Sequence, residues 1–213
     1  MSNRPDEPEN NPEPPKPPSE PGGFTQEVQY SQVTARVPEK VGRGVFSNGA
    51  LVMQGAHEFV VDFVLNIAQP HQIAARVVLP ITLMPSLIAA LRENLNNYQK
   101  HFGPPPALPV PQPPPTPPSI EEIYSNLKLP DEIMSGVYAN AVMIVHQAAE
   151  FCFDFITNFY PRSAVASRVF LAAPQVPVLL NNLTRSYQQY QQKLASQQLP
   201  KPPGQPPQGP GQT

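Results

Sequence analysis

The sequence is poor in the features that mark secreted and membrane-spanning proteins. It has one cysteine and no tryptophan among 213 residues, and only 14% of its residues are charged. A single thiol cannot form an intramolecular disulfide, so the composition does not call for an oxidising compartment. The longest apolar stretches lie at 59–67 and 151–156, and both are far shorter than the roughly 18 residues that cross a bilayer. The N-terminus also lacks the basic start and apolar run of a secretory signal, so we expect a cytoplasmic protein without a membrane segment.

Proline, in contrast, is abundant: the chain holds 32 prolines, concentrated in three tracts. This is about three times the usual share. The positions predict an acidic, disordered tail at 1–23, a first folded unit at 24–103, a proline-rich linker at 104–118, a second folded unit at 119–199, and a disordered Pro/Gln/Gly tail at 200–213. The linker holds ten prolines and no charge, which predicts a polyproline II spacer. The two folded units hold eleven charges of each sign, which argues against a basic nucleic-acid-binding surface and against a polybasic membrane surface.

The two predicted units are copies of one another. Shifting the sequence by 92 residues aligns residues 44–99 with residues 136–191 without a gap. The matched positions include Glu-Phe-x-x-Asp-Phe, which begins at Glu58 and at Glu150, and Arg-Val, which begins at Arg76 and at Arg168. Matches spread over the whole length in one register indicate a tandem duplication.

Hydrophobic periodicity predicts the same elements in both units. Alternation over 45–53, 58–66 and 73–79, with weaker alternation over 29–37, predicts four short strands. After Pro80 the apolar spacing becomes that of an amphipathic helix. The predicted fold class is therefore α+β: two tandem β-β-β-β-α units, each an antiparallel meander sheet with one C-terminal helix packed on one face, joined by a polyproline linker.

The two faces of each predicted sheet differ in polarity. Odd-numbered positions such as Leu51, Met53 and Phe59 are mostly apolar, so we expect the helix to cover this face. The even-numbered face mixes aliphatic with polar side chains, and we call it the mixed face. Exposed apolar area of this kind is usually covered by a partner. We therefore expect the two units, or two chains, to pair through the mixed face.

Three polar residues recur on the mixed face: Asn48, Asp62 and Arg76 in the first unit, and Asn140, Asp154 and Arg168 in the second. A hairpin turn about residue 69 would place Asp62 opposite Arg76, and a three-residue turn at 54–56 would place Asn48 opposite Asp62. The six residues are predicted to form an interface or register cluster, in which a cross-strand ion pair fixes register or pairing. The alternative is that Arg76 and Arg168 bind an anionic ligand or a phosphate backbone.

No set of side chains has the spacing of a catalytic or metal site. None of the four histidines recurs at its matched position, and Cys152 takes the place of Val60 in an apolar strand. No phosphate-binding glycine loop or nucleophile elbow is present. The recurring Glu58 and Asp62 are four residues apart, about 13 Å along a strand, which is too far for paired acid–base chemistry. We expect no catalytic, cofactor-binding or metal-binding residues and a protein that is not an enzyme.

Several motifs occur in the same order in both units. They are the unit openings at 39–48 and 129–140, Glu-Phe-x-x-Asp-Phe at 58–63 and 150–155, Ala-x-Arg-Val at 74–77 and 166–169, and the helix segment at 90–98. Together they resemble a small bacterial family known as domain of unknown function 3467. That family is single-copy as a rule, so the resemblance implies a covalent pseudo-dimer, in which one unit and its copy form the working assembly. It supplies no catalytic residues. The chain departs from the family at the helix starts, 81–85 and 174–177, where prolines replace the usual cap and basic first turn.

These observations favour a protein-binding or assembly module. The order of strands and helix is similar to that of the export chaperone SecB, which makes a chaperone-like role one expectation by analogy of fold alone. The expected partners are the chain itself, through unit-to-unit pairing or a homo-oligomer, and an unidentified protein; no membrane and no cofactor are expected. The alternative function is single-stranded nucleic-acid binding on paired sheets of the Whirly-like type. Tyr30, Phe46, Tyr124 and Tyr138 would then stack bases on an open sheet face.

Overall fold

The computed structural model describes residues 35–109, 118–159 and 161–198. These residues confirm the mixed α+β class. The predicted tails at 1–23 and 200–213, and residues 110–117 of the predicted linker, lie outside the described residues. The strands are β1 (Val45–Ser47), β2 (Gly49–Gln54), β3 (Glu58–Leu65), β4 (His71–Pro80), β5 (Leu127–Lys128), β6 (Val137–Tyr138), β7 (Ala141–His146), β8 (Glu150–Phe159) and β9 (Arg162–Ala172). The helices are α1 (Glu39–Gly42), α2 (Met84–Phe102), α3 (Ile120–Ser125) and α4 (Val176–Gln198), and single 3-10 turns at Ile81–Leu83 and Ala173–Gln175 lead into α2 and α4.

Each repeat contributes a three-stranded antiparallel meander. Strands β2, β3 and β4 pair in chain order, and β7, β8 and β9 do the same in the second repeat. Phenylalanine and valine, which favour strands, fill the central strands, and their alternate side chains are buried. Both meanders shift register at the same place, after Phe63 and after Phe155. The duplicated sequence therefore builds the same hairpins twice.

The first strand of each repeat joins the sheet of the other repeat. Strand β1 runs parallel to β9, and β6 runs parallel to β4. The sheets have the orders β1-β9-β8-β7 and β2-β3-β4-β5, with β6 also beside β4. The predicted single strand over 45–53 and the predicted four-stranded meander are wrong, because the chain changes sheets at Asn48. Alternation shows that residues are half-buried in a sheet but does not show which sheet they join.

Little of the weak strand predicted over 29–37 falls within the described residues. There, Arg36 forms an isolated parallel bridge with Ala164 on β9. Its counterpart 92 residues later, Lys128 of β5, pairs with Gln72 on β4. The strand exchange therefore includes this earlier pairing, and it is the same in both halves.

Two glycines allow the exchanged strands to approach closely. Gly44 and Gly136 precede β1 and β6 and have φ angles of 64° and 70°, a conformation that other residues adopt only with strain. A Cβ at Gly44 would lie 2.6 Å from the ring of Phe170, and one at Gly136 would lie 2.8 Å from Cγ of Arg76. Glycine is therefore required at both positions for conformation and for space.

The two long helices also pack across the repeats. Helix α2 lies against β7, α4 lies against β2, and the helices contact each other. On α2, the ring of Tyr98 lies 5.2 Å from that of Phe151, and its hydroxyl donates a 2.7 Å hydrogen bond to the carbonyl of Ala148. On α4, Tyr190 meets Phe59 edge to face. Each helix therefore contacts the other repeat as well as the shared core, and the predicted closed unit, with its helix on its own sheet alone, is not confirmed. An amphipathic stripe shows that a helix is covered but not which sheet covers it.

The apolar faces of the two sheets share one core. The ring of Phe63 lies 6.1 Å from that of Phe153 and 5.6 Å from that of Phe155, and the buried cluster around them includes both helices. The prediction that the units pair through the mixed face is therefore wrong. Full burial of a phenylalanine contributes about 1.5–3 kcal/mol, so the phenylalanine-rich faces associate in preference to the half-polar ones.

Part of the proline-rich tract packs near the start of α4. Residues 105–109 line a groove together with Pro174, Pro177 and Val178. The remainder of the tract lies outside the described residues, so the polyproline II spacer stays a prediction.

Candidate functional site

Two ion pairs lie at matched positions on the outer faces of the two sheets. Asp62 on β3 stands directly opposite Arg76 on β4, and Asp154 on β8 stands opposite Arg168 on β9. Each guanidinium donates two hydrogen bonds to its carboxylate, at 2.8 and 2.7 Å in the first pair and 2.6 and 2.7 Å in the second. The carboxylates are 0% and 3% exposed. The bonds to the carboxylates raise the pKa of both arginines above the usual value.

Each ion pair also holds an exchanged segment of the other repeat. Arg76 donates a 3.1 Å hydrogen bond to the carbonyl of Met134, and Arg168 donates a 3.3 Å bond to the carbonyl of Gly42. Gly42 and Met134 are 92 residues apart, so the two contacts are equivalent. Because both guanidinium groups are engaged by a carboxylate and a carbonyl, this geometry favours a structural role over capture of an anionic ligand.

The asparagines lie away from the ion pairs, at the points where the chain changes sheets. The Oδ1 atom of Asn48 accepts a 2.7 Å hydrogen bond from the backbone N–H of Asn66, and Oδ1 of Asn140 accepts the matching 2.7 Å bond from Asn158. Their side-chain amides donate back to the carbonyls of the same residues. The predicted row of Asn48, Asp62 and Arg76 is therefore wrong in its first member.

The error comes from the length of one turn. Gly55 donates its N–H to the carbonyl of Glu58, and Leu51, not Asn48, stands opposite Asp62. A register change by an odd number of residues moves every side chain of a strand to the other face. Leu51 and Met53 were predicted on the apolar face and instead belong to the outer face, whereas Ala50 and Val52 pack against the core.

The outer face of the first sheet is covered by helix α3 of the same chain. The hydroxyl of Tyr124 donates to Oδ2 of Asp62 and lies 3.2 Å from the sulfur of Met53. The guanidinium carbon of Arg76 lies 5.8 Å from the centre of the tyrosine ring, within cation–π range. Burial, reinforced by the bond to Asp62, raises the pKa of Tyr124 above its ordinary value. We call this occupied surface the filled groove; its sheet residues are Leu51, Met53, Val60, Asp62 and Arg76.

Helix α3 begins with a capping box that orients Tyr124. The side chain of Ser119 accepts a 3.1 Å hydrogen bond from the N–H of Glu122, and the carboxylate of Glu122 accepts a 2.7 Å bond from the N–H of Ser119. This reciprocal arrangement satisfies donors at the helix start. Sequence comparison gave no signal for Tyr124, because the shift of 92 residues aligns it with Gln32.

The matching surface of the second sheet has no such cover among the described residues. A cavity of about 280 Å³ lies over it, and we call it the open groove; the residues that match the filled groove are Met143, Val145, Cys152, Asp154 and Arg168. Met143 and Val145 are 50% and 53% exposed, whereas their counterparts Leu51 and Met53 are only partly exposed. Among the described residues, no tyrosine hydroxyl reaches Asp154, whose side-chain partners are Arg168 and, at 3.9 Å, the thiol of Cys152.

An apolar row continues from the open groove across the sheet. Phe46 on β1, Phe170 on β9, Cys152 on β8 and Val145 on β7 are successive cross-strand neighbours. Phe46 is 47% exposed. Burial raises the pKa of the Cys152 thiol, and the charge of Asp154 adds to the effect. A raised pKa makes the thiol less reactive, and Cys152 lines the groove beside Val145 and Phe170.

The residues predicted to stack bases have different environments. Phe46 and Tyr138 lie on the exchanged strands β1 and β6 and are exposed, and Tyr138 stacks on Phe159 with the rings 5.9 Å apart. Tyr124 instead lies against the filled groove, and Tyr30 lies outside the described residues. Within the described segments, no three His, Cys, Asp or Glu side chains are grouped as a metal site would need. None of the helices found there is long and apolar enough to cross a membrane.

Comparison with known proteins gives a match to a family model alone. The model described as "Protein of unknown function (DUF3467)" matches residues 5–105 and, separately, residues 110–196. Two successive matches agree with a tandem duplication of one domain. No curated protein and no solved structure matches the chain.

Proposed function

Because the chain belongs to the DUF3467 family, whose function is unknown, and carries its domain twice, we propose that it is a non-enzymatic protein-binding module. In this proposal the open groove receives a segment of a partner protein, while the filled groove is closed by the chain's own helix α3. The fused repeats act together as an intrachain pseudo-dimer.

The observation that carries this proposal is the difference between the two grooves. The same sheet surface occurs twice, and in its first copy it is covered by a polypeptide segment. In the second copy Met143 and Val145 are about half exposed. Burying an apolar side chain of this size contributes about 1.5–3 kcal/mol, so these two residues and Phe46 give a partner segment a substantial source of binding energy.

Site-specific photo-crosslinking tests the proposal. A benzophenone amino acid replaces Met143 in the open groove, and in a control it replaces Arg92, which is exposed on α2. Irradiation in the source cell should produce discrete protein adducts from position 143 only. Adding Val145→Glu should remove them, because it places a carboxylate beside Glu150 and Asp154 on an apolar surface. Equal adducts from both positions, or adducts that tolerate Val145→Glu, would count against a binding role for the groove.

The pattern of adducts also separates the partner classes. One adduct at twice the mass of the chain identifies a homo-oligomer, and one adduct of another mass identifies a dedicated partner protein. A broad set of adducts that grows when unfolded proteins accumulate identifies a chaperone-like role. All three patterns require the open groove, so Val145→Glu is the control for each.

A second candidate is single-stranded nucleic-acid binding of the Whirly-like type. The observation in its favour is the set of exposed rings on the exchanged strands, Phe46 and Tyr138, with Phe159 stacked on the latter. Such rings can stack bases. This function requires oligonucleotide binding that weakens as salt rises and that falls when Phe46 and Tyr138 are changed to alanine. No binding at low salt removes this candidate.

A further inference from the structure

We propose that the open groove is a docking site for a tyrosine side chain carried by a short segment of a partner polypeptide, with the tyrosine hydroxyl donating a hydrogen bond to Asp154. This inference rests on the proposed function and deepens it, because it names the chemistry of the partner segment. The partner supplies in trans what helix α3 supplies in cis to the filled groove.

The filled groove is the template for this proposal. Tyr124 reaches it with three contacts: the hydroxyl donates to Asp62, the same oxygen lies 3.2 Å from the sulfur of Met53, and the ring lies beneath the guanidinium of Arg76. Each contact uses a different property of the side chain, namely its donor, its length and its aromatic face. Phenylalanine lacks the donor, and histidine does not have the same reach.

The open groove repeats two of the three residues that make these contacts, the aspartate and the arginine, and has Val145 in place of Met53. Asp154 and Arg168 form the same bidentate pair, and Gly42 engages Arg168 as Met134 engages Arg76. The matched positions, 92 residues apart, are Leu51 and Met143, Met53 and Val145, Val60 and Cys152, Asp62 and Asp154, and Arg76 and Arg168. Carboxylate, guanidinium and apolar walls are therefore all present in the empty copy, and only the tyrosine is missing from it among the described residues.

The register of the chain assigns the tyrosine to a partner. In the second repeat, Lys128 pairs with β4 and Tyr124 lies four residues before it. In the first repeat, the equivalent Arg36 bridges β9, and the residue four positions before it is Gln32. Glutamine has no aromatic ring. The sequence therefore has no tyrosine at the position that matches Tyr124, and we assign the tyrosine to a partner.

The charged side chains that line the open groove further restrict which side chain of a partner can bind there. Asp154, Glu150 and Arg168 all line the cavity; Arg168 is paired with Asp154, which leaves the charge of Glu150 unbalanced, so the groove favours a neutral donor over an anion. A phosphotyrosine carries about −1.5 to −2 charge and has lost the donor. It is therefore expected to be excluded, and phosphorylation of the partner tyrosine would release it.

A peptide-binding experiment tests the proposal with the full-length chain. The probe is a fluorescent peptide with the sequence of residues 118–129, and the matched probes carry phenylalanine or phosphotyrosine in place of its tyrosine. In the intact protein the filled groove already holds its own tethered segment at high effective concentration, so the added peptide reports on the open groove. We expect the phenylalanine peptide to bind at least tenfold more weakly, as for loss of a hydrogen bond to a charged acceptor, and the phosphopeptide not to bind.

Substitutions in the protein locate the binding. Val145→Glu should abolish binding of the tyrosine peptide, whereas Arg92→Glu on the exposed side of α2 should leave it unchanged. Asp154→Asn should reduce the preference for tyrosine over phenylalanine; because this change also weakens the pair with Arg168, its circular dichroism spectrum is compared with that of the wild type. If it fails to fold, Val145→Glu and the phenylalanine peptide still decide the outcome.

Three results would overturn the inference. Equal affinity for the tyrosine and phenylalanine peptides would remove the role of the hydroxyl, and binding that survives Val145→Glu would remove the site. Binding that appears only when Tyr30→Phe is introduced would give the groove to the chain's own Tyr30 and refute the assignment to a partner. The proposed function can survive each of these results, because crosslinks from position 143 that no tyrosine peptide displaces would still show a protein-binding groove of different chemistry.

Discussion

Replacing Arg76 by methionine is the most direct test of the role assigned to the ion pairs. Asp62 is fully buried and accepts three hydrogen bonds, two from Arg76 and one from Tyr124. Arg76→Met removes the two charge-assisted bonds, each contributing about 1.5–3 kcal/mol, and leaves a buried carboxylate with one donor. We expect a loss of about 3–5 kcal/mol in the free energy of unfolding, the range measured for breaking buried pairs.

The second pair provides an internal comparison. The side chain of Arg168 is 24% exposed against 16% for Arg76, and Asp154 has no tyrosine partner among the described residues. Greater access to water screens the charge that is left behind. Arg168→Met should therefore cost less than Arg76→Met, although both changes remove the same atoms.

Urea unfolding followed by circular dichroism measures these differences, and a double-mutant cycle separates the pair from its surroundings. Asp62→Asn combined with Arg76→Met should recover a large part of the loss, since no unpaired buried charge remains. If each single change cost less than about 1 kcal/mol, the value typical of exposed pairs, or if the double change were fully additive, the reasoning from burial would be refuted.

Three further predictions concern single residues. Gly44→Ala should destabilise the protein by about 2–4 kcal/mol in thermal unfolding, because it combines strain at a positive φ with a contact of 2.6 Å to Phe170. Gly103→Ala, at the end of α2, is a control that has strain at a positive φ (80°, with ψ −179°) but no neighbour within 4 Å. Burial and Asp62 raise the pKa of Tyr124 in the folded state, so the folded protein holds this proton more tightly than the unfolded chain does. The free energy of unfolding should therefore fall as pH rises above about 10. Tyr124→Phe should remove that part of the loss, and a variant with the same pH profile as the wild type would contradict the prediction. Burial and Asp154 raise the pKa of Cys152, so alkylation by iodoacetamide at pH 8 should be slower in the folded protein than in urea, and an equal rate in the two would show an accessible thiolate.

Local sequence patterns predicted the register of the β3–β4 hairpin correctly and that of the β2–β3 hairpin wrongly. The turn about residue 69 gave the correct opposition of Asp62 and Arg76, because the position of a turn sets the register of the strands beside it. The length of the turn after β2 was predicted wrongly, so Leu51 and Met53 were assigned to the wrong face of the sheet. Both outcomes follow from the alternation of side chains along a strand. When the register shifts by an odd number of residues, every side chain of the strand moves to the other face.

Local sequence patterns could not predict the exchange of strands or the contact of Tyr124 with the groove. The polar segment Ser47-Asn48-Gly49 separates the apolar residues of β1 from those of β2, but it does not show that Asn48 ends one sheet and begins the pairing in another. The contact of Tyr124 with Asp62 joins residues that are 62 positions apart. It depends on how the second repeat folds over the first, which periodicity does not report.

The exchanged strands bear on how this domain evolves. In a symmetric assembly of two separate single-domain chains, every substitution appears on both sides at once, so neither side can specialise. Fusion into one polypeptide lifts that constraint and removes any dependence of assembly on protein concentration. Each half of the molecule can then change independently, and in this chain only the first sheet has Tyr124 of helix α3 bonded to its aspartate among the described residues.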